Sequence, residues 1–540
     1  MKKVVIIITS IALMIMLIGC QKPTESTNEP TPVDEWKVVY DIKPTSPYFM
    51  DSVSACYQVF PYSFADSNGD GIGDLNGIME NLDYFSEILG VDCLWLNPIN
   101  PSPSYHKYDV TDYYAIDRQF GTMQDFENLL SEAKSRNIRI LMDLVINHTS
   151  SRHPWFINST IGPAATYREF YVWNTLEDRV AFPDRLGWYL RNGVYYFASF
   201  WEEMPELNFE NPLVRAEIKN ILTFWLNKGV DGFRIDAAKH IYDIKEYPAG
   251  TRTLQENINY FKEFNHYVKE INPDAFVVGE VYTSGSSYVS NFFQGMDSAF
   301  NFELADSIIN GLQSNSSSNI AQVLLRSQSD IWAKKDNPLD SIFLTNHDQN
   351  RLADQVGFNL NKMKLASQVL MTIPGISWIY YGEELGMGGS KPDNNIRQAF
   401  KWGTGYESYI INSPTHIPVW GTYNQSLLGT TEQLQDPDSL LNNYIKMIEI
   451  RKQNRILSRG TIESFQSPQG SLLTYALSYE GFRVVVIHNF SINAIDIEHN
   501  LSGLALFFGT HETQITSSTF RVEPYSTTIL RIDQGINAFR

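Results

Sequence analysis

Acidic side chains of the kind needed for glycoside hydrolysis follow several short apolar runs of the chain. Arg234 and Asp236 close one run, Glu280 follows the next, and Asp348 follows a later one. When two carboxyl groups flank a glycosidic bond, one can attack the anomeric carbon while the other protonates the leaving oxygen. Any one of these acids could instead be an ion-paired strand-end residue or a helix N-cap. Their chemistry therefore depends on the elements that bring them together.

The apolar runs alternate with longer segments of helical spacing, which is typical of an α/β protein with a parallel sheet wrapped by helices. Eight such runs predict a (β/α)8 TIM barrel, whose active site lies at the C-terminal ends of the strands. The predicted strands cover residues 55–60, 93–97, 138–145, 230–235, 275–279, 298–302, 341–344 and 377–380.

Two further regions depart from the barrel pattern. Residues 148–208 are rich in Trp, Tyr and Phe, and they predict a small inserted domain between barrel parts at 36–147 and 209–455. Residues 456–540 alternate strands with turn residues, which predicts a C-terminal antiparallel β-sandwich. Its clearest strands are expected at 472–479, 483–489 and 526–532. We expect this domain to brace the barrel rather than bind sugar, because exposed aromatic residues are not obvious in its strands.

The N-terminus has the layout of an export signal. Two lysines precede an apolar run over residues 4–18, which is shorter than the roughly 20 residues that span a membrane. The residues up to Cys20 resemble a bacterial lipobox, so we expect a signal peptide over 1–19 and a lipidated Cys20; the alternative is an uncleaved anchor. Residues 20–35 predict a disordered tether. The expected location is the cell membrane or outer surface, through this lipid anchor.

The composition indicates a large folded protein with a neutral partner. The 540 residues are 43% hydrophobic and 13% aromatic, which supports two or three structural units and surfaces that hold sugar rings. A formal net charge of −19 argues against nucleic acid as a partner, and we expect a monomer. Cys56 and Cys93 lie in separate apolar runs and are predicted to be buried free thiols, with a disulfide less favoured.

Four segments near the predicted strand ends carry a family resemblance. In chain order they are residues 143–148 (DLVINH), 232–240 (GFRIDAAKH), 279–282 (GEVY) and 344–348 (LTNHD). They resemble the four signature regions of the α-amylase family of glycoside hydrolases. Residues 204–208 (MPELN) fall where that family has a similar motif in its inserted domain.

This resemblance implies a role for each acid. Asp236 would be the nucleophile, Glu280 the general acid/base, and Asp348 the residue that holds substrate hydroxyls and stabilises the transition state. Arg234 would orient Asp236 and keep it ionised, because a neighbouring cation favours the charged carboxylate. Two nearby carboxylates would keep Glu280 protonated until the leaving oxygen takes the proton.

The resemblance also implies a set of substrate contacts. Tyr108 would stack under the reacting ring and His106 would make a polar contact, although aromatic packing beneath a loop is an alternative. His148 and His347 would donate to hydroxyls of the same ring. The remaining expected contacts are Lys239 and His240 under the leaving-group subsites, and Asp393 and Arg397 on the other side of the sugar.

A loop after the first predicted strand has oxygen donors at every second position. Asp66, Asn68, Asp70 and Asp74 alternate with small residues, and Ile72 could add its backbone carbonyl. This alternation suits Ca²⁺, and relatives in the family bind calcium in the same loop. Calcium is therefore the expected cofactor, with an ordinary acidic turn as the alternative.

The expected reaction is retaining endo-hydrolysis of α-1,4 bonds in starch, glycogen and maltooligosaccharides. The Lys239-His240 pair favours α-1,4 substrates in this family, whereas the 66–74 loop and residues 204–208 resemble oligo-1,6-glucosidases and neopullulanases. One alternative is an exo-acting α-glucosidase or 4-α-glucanotransferase. A less favoured one is a non-catalytic glucan-binding lipoprotein, which fits poorly because all three acids are present.

Overall fold

The protein is described here by a computed structural model. It describes residues 45–174, 187–242, 251–283, 285–317, 319–405, 420–463, 470–498, 505–511, 515–516 and 518–532. The described residues all belong to one compact unit, which spans residues 41–540. The expected signal peptide, Cys20 and tether lie outside the described residues. Within the described part, no helix is both long and apolar enough to cross a membrane.

An eight-stranded parallel sheet forms the centre of the fold. Its strand order is β10-β11-β1-β2-β3-β7-β8-β9, and a parallel bridge between Phe300 and Ser341 connects the end of β9 to β10. The strands are β1 (Ala55–Val59), β2 (Cys93–Leu96), β3 (Arg139–Leu144), β4 (Trp173–Asn174), β5 (Trp188–Arg191), β6 (Val194–Phe197), β7 (Gly232–Ile235), β8 (Phe276–Gly279), β9 (Ser298–Ala299), β10 (Ser341–Phe343), β11 (Ile376–Tyr380), β12 (Thr461–Glu463), β13 (Leu472–Tyr479), β14 (Phe482–Asn489), β15 (Ile495–Glu498), β16 (Ala505–Gly509), β17 (Thr519–Val522) and β18 (Thr527–Arg531). The predicted barrel is confirmed.

Helices follow most barrel strands and cover the outside of the sheet. Their ends match their sequence: a capping box between Thr122 and Asp125 starts one helix, and Gly229 in a left-handed conformation ends another. The helices are α1 (Pro47–Asp51), α2 (Leu75–Glu80), α3 (Met123–Ser135), α4 (Pro154–Ser159), α5 (Pro212–Lys228), α6 (Thr251–Ile271), α7 (Ser286–Val289), α8 (Phe302–Ser314), α9 (Ile320–Trp332), α10 (Leu352–Gln355), α11 (Leu360–Thr372), α12 (Asp393–Ile396), α13 (Thr422–Ser426), α14 (Thr430–Gln435), α15 (Leu440–Gln453) and α16 (Ile456–Arg459). Tyr84–Leu89 is a π-helix, and 3-10 helices cover Pro61–Ser63, Arg168–Phe170, Ala238–His240 and Ser290–Gln294.

The inside of the barrel changes from apolar to polar along each strand. Trp95 and Leu141 belong to one apolar cluster with residues of the neighbouring strands. Two residues further along, on the same face, stand Asn97 and Asp143. The strand period of two therefore directs polar side chains into the C-terminal mouth of the barrel, while apolar side chains fill the space below it.

The two additional regions are antiparallel. The stretch after β3 contains the small sheet β4-β6-β5, and bridges from His148 to Glu206 and from Tyr171 to Leu207 hold its ends together. The C-terminal region contains a five-stranded sheet, β12-β13-β14-β18-β16, and the pair β15-β17. Apolar side chains from both, including Val485 and Phe520, form one shared cluster. This arrangement confirms the predicted C-terminal sandwich.

The prediction that Cys56 and Cys93 are free thiols is wrong, because they form a disulfide. They are direct register partners on the neighbouring parallel strands β1 and β2, with Cα atoms 4.6 Å apart. That separation lies within the range that a disulfide spans. The two cysteines are separated by 37 positions in the sequence, whereas the strand order of the barrel places them side by side.

Removal of this disulfide is expected to lower thermal stability. The double variant Cys56→Ala/Cys93→Ala frees a chain segment of sequence separation 37, which by the loop-entropy relation costs about 3 to 4 kcal/mol. Calorimetry should show a lower Tm for the double variant, and wild type treated with reductant under denaturing conditions serves as the matched control. Equal Tm values for oxidised wild type and the variant would contradict the expectation.

Candidate active site

Arg234 gathers three carboxylates at the mouth of the barrel. Its Nη1 donates to Asp143 Oδ1 at 2.8 Å and to Asp236 Oδ1 at 2.7 Å, and its Nη2 lies 3.0 Å from Glu280 Oε2. Arg234 and Asp143 lie on adjacent parallel strands as register partners, while Asp236 and Glu280 follow β7 and β8. The neighbouring C-terminal ends of β3, β7 and β8 therefore place all four side chains together.

Burial raises the pKa of both Asp236 and Glu280 above their usual values, and Arg234 opposes this rise. The charges of Asp236 and Asp348 raise the pKa of Glu280 further. Glu280 Oε2 also accepts the N–H of Ala237 at 3.0 Å, and Ala237 adopts a left-handed conformation with φ of 48°. Since Oε2 is engaged by two donors, Oε1 is the oxygen of Glu280 placed to carry a proton.

Asp348 is held in its ionised form. Arg397 Nη2 donates to its Oδ1 at 2.8 Å, and His347 Nε2 lies 3.1 Å from its Oδ2. Burial alone would raise the pKa of Asp348, but His347 and Arg397 outweigh burial and lower it to about 2. Arg397 also pairs with Asp393 at 3.3 Å. The structure therefore brings the expected pair Asp393 and Arg397 to the third acid.

Tyr108 and His347 form a stacked pair beside these acids, with ring centroids 5.3 Å apart. Gln58 Nε2 donates to His347 Nδ1 at 2.8 Å, so the neutral ring carries its proton on Nε2, which is 2.6 Å from the Tyr108 hydroxyl. Burial lowers the pKa of His347 to about 3. Tyr108 in turn donates to Asp143 Oδ2 at 2.8 Å and accepts from Asn97 Nδ2 at 2.9 Å.

The other two predicted histidines of this region lie close by. His148 is buried, and its Nε2 is 3.1 Å from the carbonyl oxygen of Tyr108. Because a carbonyl oxygen can only accept a hydrogen bond, Nε2 carries the proton and donates it. Burial lowers the pKa of His148 to about 4. The ring of His106 is 6.1 Å from that of Tyr108, and its Nδ1 accepts the Tyr108 N–H at 3.2 Å. Their contacts with substrate hydroxyls stay predictions.

Lys239 and His240 lie on the short helical segment that follows Asp236. Lys239 Nζ donates to the carbonyl oxygen of Tyr282 at 2.7 Å, and the His240 ring is 5.0 Å from the ring of Phe200. Phe200 comes from the inserted region, and Tyr282 follows Glu280. Two exposed aromatic rings thus flank the Lys239-His240 pair.

A family model for the α-amylase catalytic domain matches residues 58–460 of this chain, which include the whole of this site. The chain belongs to the α-amylase family. It is 43% identical over 487 residues to Alpha-amylase 3 of Dictyoglomus thermophilum, a match that covers 88% of this chain and 92% of that protein. It is also 32% identical over 485 residues to a 4-alpha-glucanotransferase of Thermotoga neapolitana, with 88% and 99% covered.

The crystal structure of the alpha-amylase from H. orenii has the same fold as this α-amylase-family chain. The two superpose with a TM-score of 0.80 at 33% identity, over 89% of this chain and all of that one. The protein is therefore a glycoside hydrolase of the α-amylase family.

Three polar residues of this family member were not recognised as site residues from the sequence. Asp143 accepts from Arg234, from Tyr108 and, at 3.1 Å, from Trp95 Nε1. Gln58 and Asn97 are joined by a 2.9 Å hydrogen bond and hold the Tyr108–His347 pair. These residues could have been found from the sequence, because each is a polar residue at or near the end of an otherwise apolar strand. A polar group buried there needs a hydrogen-bonding partner.

The loop predicted to bind Ca²⁺ is held together by its own side chains. Asp66 Oδ1 accepts the Gly69 N–H at 2.7 Å, and its Oδ2 accepts the Gly71 N–H at 2.8 Å. Asp74 caps α2 by accepting the Gly77 N–H at 2.7 Å. The donor types fit calcium, although no group of three His, Cys, Asp or Glu side chains in the described residues is placed to hold a metal ion.

Proposed function

We propose that the protein is a retaining endo-α-amylase that cleaves α-1,4 bonds of starch, glycogen and maltooligosaccharides. The observation that carries this proposal is the sharing of Arg234 between Asp236 and Glu280, at 2.7 and 3.0 Å. Adjacent nitrogens of one guanidinium hold the two carboxyl groups close together, where both could act on one glycosidic bond. Retaining enzymes hold their carboxyl groups about 5 to 5.5 Å apart, which this shared contact suits.

The reaction would proceed through two displacements. Asp236 Oδ1 is bound by Arg234, so Oδ2 would attack the anomeric carbon while Glu280 Oε1 gives its proton to the leaving oxygen. Glu280, now ionised, would then take a proton from water as that water opens the glycosyl ester. Asp348 stays ionised because its pKa is about 2, so it can accept hydrogen bonds from sugar hydroxyls throughout.

The α-1,4 endo specificity rests on residues around the leaving-group side. Lys239 and His240 are both present, and the exposed rings of Phe200 and Tyr282 beside them suit a chain that continues beyond the cleaved bond. The similarity to Alpha-amylase 3 supports the same activity. The similarity to a 4-alpha-glucanotransferase favours chain transfer as a second candidate, with a sugar hydroxyl replacing water in the second step.

Product analysis separates these activities. Wild type and Glu280→Gln would be incubated with soluble starch, pullulan and isomaltose, and products sized by chromatography. We expect rapid shortening of starch to mixed maltooligosaccharides by wild type and none by the variant. Release of glucose or maltose alone would indicate exo-action, longer chains from maltooligosaccharides would indicate transfer, and a preference for isomaltose would contradict the α-1,4 assignment. Starch binding without cleavage would indicate a non-catalytic binding protein.

We also propose that the 66–74 loop binds Ca²⁺, through Asp66, Asn68, Asp70, Asp74 and the carbonyl oxygen of Ile72. The ion would offset the repulsion among the three carboxylates and stabilise the loop.

Removal of this calcium is expected to lower the Tm of wild type, because a ligand that binds only the folded state adds to its stability. Thermal unfolding would be measured with excess CaCl2 and with EGTA. Asp70→Asn should show a much smaller difference between the two conditions, whereas the matched control Asp274→Asn, an exposed acid outside the loop, should behave as wild type. A wild-type Tm that does not respond to EGTA would refute the calcium site.

A further inference from the structure

A lysine with an unusual backbone conformation lies between two of the residues expected to contact the sugar. Lys107 separates His106 from Tyr108 and has a φ of 66°, in the left-handed region that residues other than glycine rarely adopt. It is also 2% exposed, although it carries a charge. A residue persists in such a conformation only where the surrounding structure holds it. The contacts of Lys107 therefore bear on the placement of both neighbours.

The side chain of Lys107 is anchored by a buried ion pair. Its Nζ donates to Asp117 Oδ2 at 2.7 Å and to Gln119 Oε1 at 2.6 Å, and both members of the ion pair are almost fully buried. Asp117 is itself fixed, because its Oδ2 accepts the Ser102 N–H at 3.2 Å and its Oδ1 accepts the Gln119 N–H at 2.9 Å. The ion pair thus ties the loop after β2 to the segment that precedes α3.

The residues on either side of Lys107 lie at the candidate active site. The Tyr108 hydroxyl donates to Asp143 Oδ2 at 2.8 Å and lies 2.6 Å from His347 Nε2. His106 Nδ1 accepts the Tyr108 N–H at 3.2 Å, so both rings depend on the same turn of backbone. A rotation of this turn would displace the Tyr108 ring from the acids, and the ion pair of Lys107 opposes that rotation.

We propose that Lys107, through its ion pair with Asp117, is a positioning residue that fixes Tyr108 under the reacting sugar ring. The inference rests on the proposed function, and it assigns no contact between Lys107 and substrate. Loss of the ion pair would leave one buried charge without its partner and would let the left-handed turn relax, which moves the Tyr108 ring. Displacement of a group beside the reacting ring lowers the rate more than it weakens substrate binding in the ground state.

Kinetic constants of three variants test this role. Lys107→Met keeps most of the side-chain volume without the charge, and Asp117→Asn removes the charge at the other end. Each should lower kcat for maltoheptaose about 10- to 100-fold, the loss typical of a misplacement of about 1 Å, with KM nearly unchanged. Lys107→Gly should show the same loss, because it also lacks the ion pair, even though glycine adopts the left-handed conformation without strain. Wild-type kcat in Lys107→Gly would overturn the role of the ion pair.

The matched control is Lys269→Met, which removes another buried ion pair. Lys269 Nζ donates to Asp297 Oδ2 at 2.8 Å, and the two side chains are 5% and 0% exposed. Lys269 also donates to the carbonyl oxygen of Ala275, which precedes β8 and so lies at the end of the barrel opposite its mouth. Lys269→Met should lose thermal stability as Lys107→Met does, while keeping wild-type kcat and KM below its Tm. Equal losses of kcat in both variants would show that stability alone explains them.

A double-mutant cycle tests whether Lys107 acts through Tyr108. In the inactive Glu280→Gln background, calorimetry would measure the Kd of 1-deoxynojirimycin, a single-ring ligand for the reaction centre. Lys107→Met should raise this Kd about tenfold and should have no further effect in combination with Tyr108→Ala. Additive losses, or an unchanged Kd in Lys107→Met, would overturn the proposal. If wild type cleaves no α-glucan, the proposed function itself fails, whereas this cycle still decides whether Lys107 positions Tyr108.

Discussion

Asp236→Asn is expected to lower kcat/KM for starch about 10⁴- to 10⁶-fold, the loss typical of removing a covalent nucleophile. The amide cannot form the glycosyl ester, while Arg234 Nη1, now 2.7 Å from Oδ1, can still donate to the amide oxygen. The fold should therefore be preserved. Release of reducing sugar measures the loss, and Asp306→Asn, an exposed acid on α8, is the control and should retain wild-type activity.

The roles of the two acids can be separated by their response to azide. In Glu280→Ala, kcat/KM for starch should fall about 10²- to 10⁴-fold. The variant should still cleave α-maltosyl fluoride, because fluoride leaves without a proton. Azide would then attack the ester on Asp236 and give α-maltosyl azide. In Asp236→Ala, azide would replace the nucleophile and give the β-azide. NMR distinguishes the two anomers, and the α-azide from Asp236→Ala would reverse the assignment.

Arg234→Met is expected to lower kcat/KM about 10²- to 10³-fold, as for loss of one preorganised catalytic donor, and to change its pH dependence. Arg234 lowers the pKa of Asp236 against the rise caused by burial. Without the guanidinium that pKa rises, so Asp236 becomes protonated at a higher pH. The acidic limb of the kcat/KM profile should therefore move to higher pH, and an unchanged limb would show that Arg234 does not control ionisation of the nucleophile.

The same variant should be less stable, because Asp143 and Glu280 also lose their buried partner, a change that typically costs about 3 to 5 kcal/mol. Burial already raises the pKa of Asp143 to about 7. Protonation removes the unpaired charge, so the stability difference from wild type should be largest above pH 7 and shrink as the pH falls. Thermal unfolding of both proteins, measured above and below pH 7, tests whether the stability difference shrinks as the pH falls. Arg234→Lys keeps the positive charge, so its stability should lie between those of wild type and Arg234→Met.

The strands and the acids could be predicted because their signals are local. Alternation of apolar runs with helical segments placed all eight barrel strands, although β9 is shorter than expected because Phe302 begins α8. Strand-end positions and the signature segments predicted Asp236, Glu280 and Asp348 as the reactive acids. The structure brings all three to the mouth of the barrel, and their catalytic roles stay predictions. The N-terminal lipid anchor, the calcium loop and the substrate contacts of the histidines stay predictions.

The sequence by itself determined which face of each strand is polar and which residues stand at the strand ends, since a side-chain period of two depends on neighbouring residues alone. Only the tertiary structure decided which strands are neighbours. That order joined Cys56 to Cys93, and it brought Asp143 and Glu280 from the strands on either side to Arg234. It also formed a cavity from Tyr105 and Trp201, which are far apart along the chain. Such contacts depend on strand order and register, which local periodicity does not specify.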